Sequence, residues 1–102
     1  MEIDMEERIN EWSKQYDIED MKIVGYQGGF PIIQFKKDKS MRITRMSQNE
    51  INKIIKSAET YGGIELGVAY NLRKTASVFV YDETIVICGH EFVLKRILEK
   101  VI

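Results

Sequence analysis

Val78-Phe79-Val80-Tyr81-Asp82-Glu83-Thr84-Ile85-Val86-Ile87-Cys88 reads as two strands joined by an acidic turn, and the expected fold follows from finding its pattern twice. Sliding the chain against itself by about 44 positions pairs Phe35 with Phe79, Asp38 with Asp82, Ser40 with Thr84, Met41 with Ile85 and Ile43 with Ile87. The same offset pairs Val24 with Val68 and Tyr26 with Tyr70. After a one-residue deletion Ile51 falls on Leu94, Ile54 on Ile97, Ile55 on Leu98 and Ala58 on Val101. A unit this short cannot bury its apolar face alone, so the period implies one supersecondary unit used twice. Two such units would pack about a pseudo-twofold axis, with a groove where they meet.

The remaining elements are read outward from that repeat. Met5, Ile9, Trp12 and Tyr16 form one apolar stripe of a first helix, with Asp4 and Glu7 placed to cap it. Strands are expected at about 21–26, 30–37 and 40–46, with Gln27-Gly28-Gly29 and Asp38-Lys39 as their turns. Ser47-Gln48-Asn49-Glu50 has capping-box spacing and opens a second helix, with Ile51, Ile54, Ile55 and Ala58 on its buried side and Gly62-Gly63 as its stop. Further strands are expected at about 64–70, 75–81 and 84–88, with Asn71 to Lys74 and Asp82-Glu83 as turns. A last helix from about 90 presents Val93, Leu94, Ile97, Leu98 and Val101. The expected fold is α+β, an internal duplication of a βββα unit (about 21–61 and 64–102) behind an additional N-terminal helix (about 3–17), in a single globule of residues 1–102.

The two halves are painted differently. Around Phe35 and along Met41 to Thr44, apolar and polar residues alternate, which suits strands with one buried and one wet face. Val78 to Tyr81 and Ile85 to Cys88 are apolar on both faces. Helices can cover one of those faces. The other needs the companion unit, a second copy of the chain, or a ligand.

Composition excludes several classes. With 30% charged and 44% apolar residues and a single proline, Pro31, neither disorder nor low complexity fits. One cysteine, Cys88, makes no internal disulfide and has no zinc-type spacing, which points to a reducing, cytoplasmic setting. The acidic start and the lack of an apolar run near 18 residues argue against secretion and membrane insertion. Residues 1–20 carry eight acids against Arg8 and Lys14, and positive charge gathers instead in Lys36, Lys37, Lys39, Arg42 and Arg45.

Chemistry-bearing constellations are scarce, so no enzyme activity, metal or cofactor is expected. His90 is the only histidine, two residues beyond Cys88. A thiolate–imidazole pair is conceivable there, but cysteine at a strand end commonly behaves as a small hydrophobe, and His90 stands where it can cap the last helix. Gly25, Gly28 and Gly29 precede a strand rather than a helix, so they read as turn glycines and not as a phosphate loop. The carboxylate pairs Glu19-Asp20 and Asp82-Glu83 fall in loops with no further acid at a catalytic spacing.

Two binding functions fit these residues. The preferred one is a protein-interaction module that takes an extended peptide or partner segment in the groove between the repeats. Meanders expose strand edges that can pair with an added strand, and Tyr26, Phe30, Tyr70 and Phe92 are the aromatics placed to line the groove. A homodimer is a further expectation for the second apolar face. The alternative is nucleic-acid binding by Lys36, Lys37, Lys39, Arg42 and Arg45, with Gln34, Lys36, Arg42 and Thr44 sharing the wet face of the first sheet. The pI near 5.9 and the lack of outward aromatics among those bases weigh against it.

The weakly similar halves Val24 to Ala58 and Val68 to Val101, and an Ile- and Lys-rich, Pro-poor, single-Cys composition, resemble the small orphan proteins of filamentous viruses that infect hyperthermophilic archaea. That resemblance implies a protein of the host cytoplasm that acts through partners rather than by catalysis.

Overall fold

The computed structural model describes residues 4–65 and 76–102, with the backbone alone for 60–65. In chain order the elements are α1 (Met5–Gln15), β1 (Lys22–Gln27), β2 (Phe30–Lys36), a 3-10 turn (Arg42–Arg45), α2 (Gln48–Glu65), β3 (Ser77–Val80), β4 (Thr84–Cys88) and α3 (Glu91–Val101).

Local chemistry accounts for the element ends. Asp4 caps α1 by accepting the Glu6 N–H on its carboxylate at 3.2 Å, and Asp17 turns the chain away at a φ of 54°. Gly28 and Gly29 take φ values of 58° and 86° between the paired residues Gln27 and Phe30. Two positive φ values in a two-residue loop make the turn whose twist matches that of a hairpin. Ser47 Oγ accepts the Glu50 N–H at 3.3 Å at the start of α2, and His90 caps α3.

The four strands form one antiparallel sheet in the order β1-β2-β4-β3. Ile33 pairs with Ile87 and Phe35 with Ile85, and all four side chains are fully buried on one face. Val93, Leu94, Ile97, Leu98 and Val101 of α3 lie over that face, joined by Ile9 and Trp12 of α1 and Ile51 and Ala58 of α2 in a single core. Each such Val, Leu or Ile side chain contributes about 1.5–3 kcal/mol when withdrawn from water. The stripes read from the sequence are therefore the stripes that pack.

The expectation of two βββα units needs correction at residues 40–46 and at residues 64 and 65. Residues 40–46 are not a strand: Asp38 Oδ1 accepts the Ser40 N–H at 2.9 Å, and the 3-10 turn follows. Both edges of β2 are taken, by β1 and β4, so no place beside it remains for a third strand. Thr44 reinforces the turn, its hydroxyl donating to Met41 O at 2.7 Å, and Met41 and Ile43 still reach the core. Gly62 and Gly63 do not stop α2, which runs to Glu65 and takes in residues 64 and 65 of another expected strand. A helical glycine costs about 1 kcal/mol but forbids nothing. The rest of that strand and the Asn71 to Lys74 turn lie outside the described residues. The register that pairs Phe35 with Phe79 sets a fully buried ring against one that is 53% exposed. Internal duplication of a βββα unit is thus not shown; the described residues form an α+β globule of three helices on a four-stranded sheet.

Candidate functional site

The helices cover one side of the sheet, and the residues of the other side follow from strand alternation. Across the four strands run Lys22, Gln34, Val86 and Phe79 in one row and Gly25, Ile32, Cys88 and Ser77 in the next. Lys36 and Thr84 form a third row, which Tyr81 joins by donating its N–H to Thr84 O at 2.9 Å. Ile32, Val86 and Phe79 do not belong to the buried core. Phe79 and Tyr81 are 53% and 54% exposed. On this side Phe79 and Tyr81 are exposed, Ile32 and Val86 half-buried and Cys88 buried, so the second face expected from Val78 to Cys88 is apolar and exposed at its β3 end.

The two edges of the sheet differ. β1 starts with Lys22 and carries a bulge at Val24, where its register against β2 shifts. Charge and bulges are the usual devices that stop an edge from pairing. β3, Ser77-Val78-Phe79-Val80, has neither charge nor proline nor bulge. Since the Tyr81 N–H points to β4, alternation directs the N–H and C=O groups of Val78 and Val80 away from β4. Beside this edge lies a groove of about 530 Å³ against α2, lined by Asn52, Ile55, Lys56, Glu59, Ala76, Ser77 and Val78. Glu59 ties helix to strand by accepting the Ala76 N–H at 3.0 Å.

The residues expected to line a groove between the repeats are distributed as follows. Tyr26 is 61% exposed on β1 opposite Pro31. Phe30 is half-buried, its ring edge-on to His90 with centroids 6.4 Å apart. Phe92 is half-buried with the Arg96 guanidinium 5.6 Å above its ring. Tyr70 lies outside the described residues. His90 links Phe30 to Phe92, because its Nδ1 accepts the Phe92 N–H at 3.1 Å. The junction itself is closed by the β2–β4 ladder, and among the described residues the edge strands are β1 and β3 at the two ends of the sheet. The β3–α2 groove escaped the sequence reading because it depends on where α2 packs. Its signal was the run of apolar residues with no polar face in β3.

The basic residues also change setting. Arg42 and Arg45 lie on the 3-10 turn, so Arg42 and Thr44 do not share a sheet face with Gln34 and Lys36. Lys36 pairs with Glu19 at 3.3 Å, and Lys37 Nζ donates to Tyr81 O at 3.3 Å. Two adjoining clefts, about 940 and 310 Å³, bring Lys22, Lys36, Lys37 and Lys39 together with Asp17, Glu19, Asp20, Asp38, Asp82 and Glu83. Four bases facing six acids make a poor seat for a polyanion. Hydrogen bonds from the Ser40 backbone first, and from its side chain second, lower the pKa of the Asp38 carboxyl.

Cys88 is buried on β4, and desolvation pushes its thiol pKa up. A raised value disfavours the thiolate that nucleophilic chemistry requires. His90 commits one ring nitrogen to capping α3. Among the described residues no group of three or more His, Cys, Asp or Glu is placed to hold a metal ion, and no helix is long and apolar enough to cross a membrane. No protein-family model matches the chain, and no curated protein or solved structure is significantly similar to it.

Proposed function

We propose that this protein is a non-enzymatic interaction module that captures an extended segment of a protein partner by adding it as a strand to β3. The observation that carries the reading is the β3 edge, unguarded among the described residues, beside an apolar groove against α2. A strand added there pairs with the outward N–H and C=O groups of Val78 and Val80. Its side chains then alternate between the groove floor of Ile55, Ala76 and Val78 and the open face beside Phe79. Backbone pairing supplies sequence-tolerant affinity, and the groove supplies a preference for apolar side chains.

The test is selection from a displayed library of extended peptides, followed by amide hydrogen exchange on the bound protein. Slowed exchange at Val78 and Val80, with capture abolished in Val80→Lys, supports the reading. Binders that leave both amides unprotected, or that bind Val80→Lys equally well, reject it.

A second reading has one observation in its favour. Phe79 and Tyr81 place two exposed aromatics on the sheet face that also carries Lys22 and Lys36, supplying a platform for stacked bases that was not expected from the sequence. Saturable binding of a single-stranded oligonucleotide, lost in Phe79→Ala and weakening steeply with salt, would put this reading first. The acids around those lysines favour a protein partner instead.

We further infer that the hairpin-then-helix order, met twice, descends from duplication of a shorter ββα unit, since β1-β2-β4-β3 reads alike from either end of the sheet. Halves of related sequences that align no better than shuffled ones would reject it. The viral setting suggested by composition is likewise a proposal. A gene embedded in cellular operons would remove it.

A further inference from the structure

The Phe92 N–H that meets His90 Nδ1 at 3.1 Å can only donate, so the ring offers a lone pair there and carries its one proton on Nε2. The backbone thereby selects one tautomer of the neutral ring. A proton added to Nδ1 sets two donors against each other and places a cation at the positive end of α3. Cap and charged ring are mutually exclusive. The turn that depends on this contact joins three parts of the molecule. The His90 ring stands edge-on to Phe30, the first residue of β2, with centroids 6.4 Å apart, and Gly89 donates its N–H to Pro31 O at 3.4 Å. Glu91, next in the chain, pairs with Arg8 of α1. Val93 and Leu94 beyond it are fully buried, so what the cap holds is confined to the one turn ahead of them.

Among the described residues, the charged and titratable groups tied to this turn are Glu91 and Arg96 on α3, Arg8 with its second partner Glu11 on α1, and the Cys88 thiol on β4. From β2 come the Phe30 ring and the Pro31 carbonyl. Glu91 is the acid next to the ring and is already engaged by Arg8, and burial keeps the Cys88 thiol protonated, so neither offers an imidazolium a counter-ion of its own. We propose that His90 makes the first turn of α3 a proton-operated latch, closed beside Phe30 while the ring is neutral and released when Nδ1 takes up a proton. The charge of histidine ordinarily changes between about pH 5 and 8, so release accompanies mild acidification. The sign follows from the contact: it belongs to the neutral ring, so its contribution is whole at the alkaline end of that range and lost as pH falls. The latch stands apart from the β3 edge and does not depend on the function proposed for it.

The test is an NMR titration of the full chain from about pH 8 to about pH 5, reading the His90 ring nitrogens and the Phe92 amide. At the start the ring should carry its proton on Nε2. Toward acid the exchange of the Phe92 amide, corrected for its intrinsic pH dependence, should quicken by about fivefold, the factor that one lost N-cap contact corresponds to. The amides of Ile97, Leu98 and Val101 should hold. His90→Asn, whose side chain can accept the same bond at every pH in the range, should keep Phe92 equally protected throughout, and His90→Ala should leave it poorly protected throughout. A ring proton on Nδ1 at the start, a ring still neutral at the acid end, a doubly protonated ring beside a protected Phe92 amide, or a His90→Asn variant that follows the parent curve each overturn the proposal.

Discussion

The Nδ1 of His90 accepts the backbone N–H of Phe92 at 3.1 Å, so the chain's one histidine serves as the N-cap of α3. The first turn of a helix leaves N–H groups with no partner inside the helix, and this contact satisfies one of them.

Replacing that ring therefore tests a structural role. His90→Ala should lower stability by about 1 kcal/mol, and His90→Asn, which restores a side-chain acceptor, should recover most of the loss. Denaturant unfolding at neutral pH measures both. Equal losses in the two variants would show that the contact with Phe30, and not the cap, is what matters.

Phe35 and Phe79 fall on opposite sides of the sheet and should respond oppositely to truncation. Phe35 is fully buried, so Phe35→Ala should cost about 3–5 kcal/mol. Phe79 is 53% exposed, so Phe79→Ala should change stability by only about 0.5 kcal/mol. Chemical melts of the two variants decide this, and a large loss at Phe79 would mean that its face is covered in solution.

The Gly28-Gly29 turn tests backbone conformation alone. A Cβ built at Gly28 meets nothing within 4 Å, so any penalty for Gly28→Ala comes from the φ of 58°. That penalty should be about 1–2 kcal/mol, with Gly28→Asn milder because asparagine tolerates this region. Equal stability of Ala and Gly there would place the turn in another conformation.

Alkaline stability should depend on Tyr16. Burial first, and the Glu99 carboxylate second, raise its phenol above the usual value of 10.0. A group whose folded pKa is raised contributes stability that is complete below the unfolded value and lost as pH climbs through the folded one. The melting temperature should therefore fall as pH rises beyond 10, and Tyr16→Phe should flatten that decline. An unchanged slope in the variant would assign the decline to other groups.

How far the chain could be read from its residues depended on whether the deciding contact was local. The start of α2 at Ser47, the hairpin at Gly28-Gly29 and the five buried residues of α3 are set within a few positions of themselves. The alternation at Met41 and Ile43 was ambiguous, because a 3-10 turn against the core also buries positions two apart. What settled it was the occupancy of both edges of β2, which depends on β4 some 50 residues later. The aromatic residues of the candidate site were visible as residues. Their partition between a capped helix start, an exposed face and the underside of the Arg96 guanidinium was fixed only when the helices packed.

The unequal edges of the sheet also set a rule for stoichiometry. If two molecules join through β3, each spends on the other the one templating edge among its described strands, and both outward margins of the joined sheet are then the bulged β1. Growth stops there. A chain with two such edges could propagate into a fibre, whereas pairing through β3 alone, as the described strands are arranged, would end in a closed pair.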